Sequence, residues 1–204
     1  MCRLYFGIFS FIFLLYNCST IEVAVTEKRE LVRGMKNIAI LSFDFKGKPE
    51  IGKEFATSFA IHSIKNDRIQ IIERNEAELN KVFSELKLSR TGIIDESTAA
   101  AAGKILGVDV ILVGFGETLE VDSKTIINSF HLKVISVQTG ALIIGIIKEP
   151  GIEWTPVLIA KYILGLGLIW DKKDILIESS SVKYLSKVTS DKMLSALREA
   201  DNKK

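Results

Sequence analysis

The alternation of apolar and polar positions divides the chain into short strands and amphipathic helices. Continuous apolar runs between polar residues are typical of buried strands, whereas apolar residues three and four positions apart are typical of helices. The first half of the chain predicts, in order, a strand over Asn37–Phe45, a helix over Ile51–Asn66, a strand over Arg68–Glu73, a helix over Glu76–Leu88 and an alanine-rich helix that ends at Leu106. Gly107 follows that last helix and supplies a left-handed stop.

The second half of the chain is richer in strands. Its pattern predicts strands over Val108–Glu120, Ile126–Val137 and Ala141–Lys148, a tight turn at Thr139-Gly140 and a last helix over Ser181–Ala200. Gly114 and Gly116 do not precede a helix, so they indicate a bulge or a close backbone approach within a strand. This succession of elements predicts an α/β fold (α+β-like), in which a mixed β-sheet is flanked by helices.

The N-terminus is typical of a secretion leader. Arg3 gives it a positive start, and Leu4–Tyr16 is an apolar stretch too short to cross a bilayer comfortably. The tetrapeptide Leu15-Tyr16-Asn17-Cys18 resembles a lipobox, at which a lipid is attached to the cysteine thiol and the chain is cut just before it. We therefore expect residues 1–17 to be a signal peptide and Cys18 to carry fatty acyl chains, palmitate among them. A plain membrane anchor or a buried N-terminal helix is the alternative.

The residues after this cysteine bear on the membrane and on the distance from it. Ser19 is not the aspartate that retains some lipoproteins in an inner membrane, so we expect attachment to the outer membrane, on its periplasmic face. Residues 18–36 are polar and lack strong periodicity, which predicts a lipidated cysteine followed by a flexible tether with a root-mean-square reach of about 23 Å. A single α/β domain is then expected over residues 37–200.

The segment Trp154–Trp170 is the most apolar stretch after the leader. A lysine lies in its middle, two glycines weaken a helix there, and the tryptophans at its ends resemble interfacial anchors. Two interpretations stay open: buried elements that complete the core, or an element that contacts the membrane or another subunit. Under the second interpretation, the contact residues are Trp154, Tyr162 and Trp170.

Composition and charge argue against several classes of function. Hydrophobic residues make up 48% of the 204 positions and charged residues 25%, which suits a packed core. The net charge is +2 with both signs interspersed, so we expect no nucleic-acid partner, which would need a clustered basic face. Cys2 lies in the leader, which leaves Cys18 as the one cysteine of the mature chain and permits no internal disulfide. His62 and His131 are far apart in sequence, so we expect neither a metal site nor a cofactor.

One near-motif concerns phosphate binding. Gly47–Glu54 follows a strand, opens a helix and contains the G-x-x-x-x-G-K spacing of a P-loop. The position that would bind Mg²⁺ is Glu54, and Pro49 removes a backbone donor that a phosphate cradle needs. Nucleotide binding is therefore a remote alternative to a solvated loop. Acidic residues near the strand ends lack a partner histidine or a metal cluster, so we expect no catalytic residue and no enzyme activity.

Five segments match the order and spacing of one known family. They are Asn37–Phe45, Ile69–Asn75, Glu85–Gly92, Ala102–Gly114 and Leu132–Gly140. They correspond to its opening strand, a strand end with Glu-Arg, the stretch from a glutamate to a glycine, a helix-to-strand junction with Gly-Lys, and a hairpin with Thr-Gly. Together they resemble the curli assembly and transport lipoproteins (CsgG-like) over residues 37–147.

The resemblance implies an outer-membrane lipoprotein with a periplasmic α/β domain. The best-known members form ring-shaped secretion channels, to which each subunit contributes two long amphipathic hairpins. The gap near Glu120–Asn128 is too short for one such hairpin, and the apolar block near residues 150–175 does not alternate as the other requires. Other relatives are lipoproteins that bind envelope partners.

We therefore expect a non-enzymatic lipoprotein that is anchored to the outer membrane and acts in envelope assembly or interaction. Its partners would be the membrane, through the N-terminal lipid, and envelope proteins or further copies of itself. A subunit of an oligomeric curli-type secretion channel is the alternative, and a nucleotide-binding domain is the remote one.

Overall fold

The computed structural model describes residues 20–27, 29–33, 35–64, 69–72, 96–164 and 172–202. The strands in this part of the chain are β1 (Ile21–Val25), β2 (Asn37–Phe45), β3 (Gln70–Ile72), β4 (Val110–Val121), β5 (Lys124–Ser136) and β6 (Leu142–Lys148). The helices in it are α1 (Arg29–Arg33), α2 (Pro49–Ser63), α3 (Glu96–Leu106), α4 (Pro156–Leu164), α5 (Lys172–Ser179) and α6 (Val182–Asn202).

The strands form one mixed sheet in the order β1-β6-β5-β4-β2-β3. β2 pairs in parallel with β3 and β4, whereas the pairs β4–β5, β5–β6 and β6–β1 are antiparallel. The sheet lies between helices, so the predicted α/β fold with a mixed, helix-flanked sheet is confirmed. β4 and β5 continue past the end of β2, and their hairpin therefore projects from one end of the sheet. We call this the hairpin end.

Each face of the sheet has its own apolar core. On one face, Phe43, Phe45 and Phe130 of the strands pack with Phe55 and Phe59 of α2, with neighbouring ring centroids 4.7–6.4 Å apart. α6 covers the same face beside α2, and α3 covers the opposite face with its alanines. Because helices cover both faces, the central strands are buried on both sides and therefore appear in the sequence as almost continuous apolar runs.

Two glycines of β4 allow phenylalanine rings of β2 to lie across the sheet surface. A Cβ atom at Gly114 would lie 2.4 Å from the Phe43 ring, and one at Gly116 would lie 2.7 Å from the Phe45 ring. Both distances are far below van der Waals contact. The prediction that these glycines mark a close approach is therefore confirmed, and the register of β4 against β5 shifts just after them.

The prediction of a flexible tether over residues 18–36 is wrong for its described part. Ile21–Val25 is the edge strand β1, which pairs antiparallel with β6, and α1 follows it. The side chains of Ile21, Val32 and Met35 are buried in the core. An edge strand of five residues gives only a weak alternation signal, and its partner strand lies far away in the sequence. The folded domain therefore extends well before residue 37.

Most other predicted elements are confirmed with small shifts of their bounds. α2 and α6 correspond to the predicted first and last helices, and Gly107 has the left-handed φ of +66° expected of a helix stop. Asp122 and Ser123 form a two-residue turn between β4 and β5, with φ angles of +49° and +60°. The helix predicted over Glu76–Leu88 lies outside the described residues. α4 lies within the apolar segment whose structure the sequence left open.

Candidate functional site

A buried carboxylate fixes the N-terminal end of the described chain. Glu153 is 1% exposed, and its Oε2 accepts hydrogen bonds from the backbone N–H of Thr20 (2.6 Å), the Thr20 hydroxyl (2.9 Å) and the N–H of Ile21 (3.2 Å). Its Oε1 lies 3.0 Å from Nζ of Lys192 on α6, and that Nζ donates to the Ile21 carbonyl at 2.9 Å. We call these four residues the N-terminal clasp. Because charge-assisted hydrogen bonds are among the stronger ones, the clasp holds the start of β1 against the domain.

Beside the clasp lies a second buried charge, Lys148 at the end of β6, which is 1% exposed. Its Nζ donates to the backbone carbonyls of Asn128 (2.9 Å), Glu149 (3.0 Å) and Gly151 (3.2 Å). Burial lowers the pKa of Lys148 to about 8, although the nearby carboxylate of Glu153 acts in the opposite direction. The lysine therefore joins β5 to the loop that leads from β6 to the clasp.

This buried lysine predicts that stability rises at alkaline pH. The native protein releases the Lys148 proton near pH 8, whereas the unfolded chain keeps it up to the ordinary pKa of 10.5. The unfolded state binds more protons between these two values, so the free energy of unfolding rises with pH across this window. Urea unfolding of the unaltered protein and of Lys148→Met should therefore give a stability difference that moves in favour of the unaltered protein as the pH increases. A difference that stays constant up to pH 10.5 would contradict this assignment.

The residues that follow the clasp bring two of the predicted contact residues together. Trp154 comes directly after Glu153, and its ring meets that of Tyr162 on α4 edge-on, with centroids 5.7 Å apart. The Tyr162 side chain is exposed and that of Trp154 is partly exposed. Cys18 and Trp170, the other predicted residues, lie outside the described residues.

Three residues in and just before α4 attach it to the rest of the domain. Leu158 is fully buried, and the hydroxyl of Thr155 lies 2.7 Å from that of Tyr184 on α6. Nζ of Lys161 donates to the Glu178 carboxylate of α5 at 2.5 Å. Burial raises the pKa of Tyr184, and the hydrogen bond with Thr155 partly offsets this. Pro156, Val157, Ala160 and Tyr162 of the same helix are exposed.

The hairpin end also carries a group of ion pairs. Nζ of Lys173 on α5 lies 2.5 Å from the carboxylate of Asp122 in the β4–β5 turn. Lys46 pairs with Glu117, and the hydrogen bond between them lowers the pKa of that carboxyl group. Lys48 pairs in the same way with a glutamate of β4, close to the turn. The hairpin is therefore bound both to the start of α2 and to α5.

The glycine and lysine near-motif does not form a phosphate cradle. Gly47, with a φ of +76°, lies in a tight turn that the Lys48 N–H closes on the Phe45 carbonyl at 2.7 Å. α2 begins at Pro49, so Gly52 and the lysine after it lie inside the helix and not in a loop ahead of it. The geometry therefore contradicts the remote alternative of nucleotide binding at this motif.

In the parts of the chain that the structure describes, no three His, Cys, Asp or Glu side chains come together as metal ligands would. His131, one of the two histidines, stacks on Phe115 with ring centroids 4.8 Å apart. Within the same residues, no helix combines the length and the apolar character needed to cross a membrane.

No protein-family model and no curated protein matches the chain. Among solved structures, it is similar to the PelC dodecamer from Paraburkholderia phytofirmans, with 14% identity, a TM-score of 0.47 and coverage of 87% of this chain and 96% of that one. The LpoB C-terminal domain from Salmonella enterica has 16% identity and a TM-score of 0.40, over 59% of this chain and 94% of that one. Lipoprotein GNA1162 from Neisseria meningitidis has 12% identity and a TM-score of 0.39, over 64% and 92%. At TM-scores below 0.5, these similarities carry no argument about the function of this chain.

The sequence pointed to the aromatic residues of this site but not to the clasp. Nothing in the sequence around Glu153 indicates that its carboxylate accepts hydrogen bonds from residues more than a hundred positions away. Lys148 did leave a signal, because it lies on the same side of β6 as the buried Ile144 and Ile146. A charged residue at an inward position of a strand indicates a buried, fully hydrogen-bonded group.

Proposed function

We propose that this protein is a lipid-anchored protein of the bacterial envelope, in which residues 1–17 are a signal peptide and Cys18 carries the lipid. The clasp is the observation that supports this most, because it holds the chain at Thr20, two residues after that cysteine. Two residues span at most about 7 Å. A lipid on Cys18 would therefore hold the clasped end of the domain directly against the bilayer, in place of the reach of about 23 Å expected for a flexible tether.

The proposed role at that membrane is non-enzymatic: assembly of, or interaction with, other envelope proteins, as in the CsgG-like family. The order of the matching segments supports this, since three of them are the strand β2, the junction of α3 with β4, and the turn between β5 and β6. Ser19 after the lipidated cysteine favours the outer membrane, with the domain on the periplasmic side. The partner is then an envelope protein or a further copy of this chain.

A subunit of an oligomeric secretion channel is the alternative proposal. The observation that favours it is the β4–β5 hairpin, whose strands of 12 and 13 residues extend beyond the end of β2. The hairpin turn is bound to α5 through Asp122 and Lys173, so it would have to separate from α5 to join a ring. Large ring particles with ion conductance in a planar bilayer would favour the channel. A monomer without conductance would favour the interaction protein.

Replacing Cys18 with alanine is expected to abolish membrane attachment. Alanine has no thiol to which a lipid can be joined, and each buried CH₂ of an acyl chain contributes about 0.8 kcal/mol to membrane binding. Cells would be labelled with an alkyne fatty acid and fractionated. We expect the label and the protein together in the membrane fraction for the unaltered chain, and unlabelled protein in the soluble fraction for Cys18→Ala.

The chain offers a matched control in its other cysteine. Cys2→Ala removes a thiol within the predicted signal peptide, so this variant should keep both its label and its membrane attachment. A Cys18→Ala protein that still takes up the fatty-acid label would contradict lipid attachment at Cys18. Unaltered protein that stays in the membrane fraction without any label would favour the plain N-terminal anchor.

A further inference from the structure

The exposed residues of α4, among those whose side chains the structure describes, are uncharged. They are Pro156, Val157, Ala160 and Tyr162, and Val157 is 64% exposed. Lys161, the one charged residue of this helix, has a side chain that is 36% exposed and pairs with the Glu178 carboxylate of α5. We call the four exposed residues, together with Trp154, the aromatic face.

The longest helix shows how unusual the exposed residues of α4 are for this protein. α6 also has exposed residues, and most of them are charged. They are Lys183, Lys187, Asp191, Arg198 and Glu199. The exposed residues of α4 are therefore less polar than those of α6, as is typical of a surface that contacts a membrane or another molecule.

The clasp places the aromatic face close to the position at which the lipid of Cys18 would be attached. Glu153 binds the backbone N–H of Thr20 at 2.6 Å, and Trp154 is the next residue. The ring of Trp154 contacts Tyr162, so the aromatic face begins beside the point at which the chain leads back to Cys18. The bilayer that receives the acyl chains is therefore the surface nearest to this face.

We propose that the aromatic face is a second membrane contact, which lies in the headgroup layer of the bilayer that holds the lipid of Cys18. The proposal rests on the lipid attachment proposed above. α4 has nine residues and is about 14 Å long, which suits a helix lying in the plane of the interface. Tryptophan and tyrosine rings are enriched at this depth, because they combine an apolar body with a polar group.

The consequence of a second contact is a fixed orientation. A lipid at one point lets the domain rotate about its attachment, whereas the lipid and the aromatic face together define a plane. Ile21 at the start of β1 pairs with Lys148 at the end of β6, on the side of the sheet towards the hairpin end. α2 runs away from the hairpin end, so the exposed Ile61 near its C-terminus and Ile64 just after it would point away from the membrane. That opposite end of the domain would be presented to partners in the periplasm.

The two tryptophans of the chain make the proposal directly measurable. In a Trp170→Phe background, Trp154 is the sole tryptophan, and its fluorescence reports the aromatic face alone. The lipidated protein would be reconstituted into phosphatidylethanolamine and phosphatidylglycerol vesicles, with and without brominated acyl chains that quench nearby tryptophans. We expect brominated lipid to reduce Trp154 emission by about half or more, because rings at the interface lie close to the acyl chains.

A matched control moves the tryptophan to the opposite end of the domain. The variant Trp154→Phe/Trp170→Phe/Ile64→Trp has its single tryptophan at a position where isoleucine is 67% exposed. Its emission should not change with brominated lipid. Equal quenching of the two proteins would overturn the proposal, because the domain would then have no fixed orientation.

A charge placed on the aromatic face gives an independent test. Val157→Glu, in the Trp170→Phe background, should weaken the quenching of Trp154, since the anionic phosphatidylglycerol surface repels a carboxylate. Ile61→Glu introduces the same charge at a similarly exposed position, 58% against 64%, and should leave the quenching unchanged. Identical quenching in the two variants would overturn the proposal.

Flotation of the vesicles separates this inference from the proposed function. Protein that fails to float with the vesicles has no lipid anchor, which overturns the proposed function and this inference with it. Protein that floats while Trp154 stays unquenched overturns the inference alone. If Trp154 emission instead responds to protein concentration without any lipid, a second copy of the chain covers this face, and the membrane contact is equally overturned.

Discussion

Replacing Glu153 with leucine is expected to lower the free energy of unfolding by about 3 kcal/mol or more, because removal of one partner leaves a buried ion pair uncompensated. The Glu153 side chain is almost fully buried, and Lys192, its partner, lies largely under the protein surface. The lost carboxylate also leaves the N–H groups of Thr20 and Ile21 without their acceptor. A buried donor without a partner costs about 1–3 kcal/mol.

The loss of stability in Glu153→Leu should be concentrated at the N-terminus of the domain. β1 is an edge strand that pairs with one neighbour, β6, and the clasp holds its first residue. Hydrogen exchange of the β1 amides should therefore accelerate in Glu153→Leu by a larger factor than exchange in the central strand β4. Equal acceleration in both strands would show that the carboxylate supports the whole fold and not the clasp.

Two further variants isolate the role of charge. Glu54→Gln changes an exposed carboxylate on α2, and its effect should stay within about 0.5 kcal/mol. Glu153→Leu/Lys192→Met removes both charges, so it should be more stable than Glu153→Leu alone. Urea unfolding measures all three variants. A double variant that is less stable than the single one would contradict the ion-pair assignment.

The elements that the sequence predicts well are those whose signal is local. A strand such as β2 can be recognised from its own nine residues. Apolar residues cover both faces of the sheet there, which explains why the apolar run in the sequence is nearly continuous. Gly107 and the Thr139-Gly140 turn are predictable for the same reason, since a left-handed backbone favours glycine wherever it occurs. For such positions the physical cause lies within a few residues.

The wrong or missing predictions concern features that depend on residues far away in the sequence. β1 has an alternating pattern, but only the distant strand β6 makes it a strand and not a tether. The clasp is similar, because a glutamate in a loop gives no sign that it binds backbone N–H groups at the N-terminus. The aromatic residues Trp154 and Tyr162 were predictable as a feature of composition, whereas their position beside Thr20 depends on that same long-range contact.

The motif around Gly52 can likewise be misinterpreted, because the role of this glycine depends on a contact with a different element. In the sequence it completes a G-x-x-x-x-G-K spacing, which would give it a place near a phosphate. In the structure it lies inside α2, and a Cβ atom there would stand 2.0 Å from the carbonyl oxygen of Phe43 on β2. The missing side chain lets the helix rest on the backbone of the strand. This close approach also brings Phe55 to the strand phenylalanines, with its ring 4.7 Å from that of Phe43.

Replacing Gly52 with alanine is therefore expected to destabilise the protein, by about 2–4 kcal/mol, since relief of the overlap requires α2 to move away from the phenylalanine cluster. Helix propensity alone predicts the opposite sign, a gain of about 1 kcal/mol for alanine in a helix interior. Gly145→Ala is the matched control, because the nearest atom to a Cβ there is a Leu142 methyl carbon at 3.9 Å, and its effect should stay small.

The lysine that follows decides between packing and phosphate chemistry at this motif. Lys53 is exposed on α2, so Lys53→Ala should change the free energy of unfolding by less than about 0.5 kcal/mol. Thermal unfolding of the three variants, with and without ATP and Mg²⁺, gives the measurement. If packing governs Gly52, the large loss in Gly52→Ala is the same with and without nucleotide. A gain in stability in Gly52→Ala would contradict the packing role of Gly52. Stabilisation by ATP and Mg²⁺ that is lost in Lys53→Ala would favour phosphate binding at this motif.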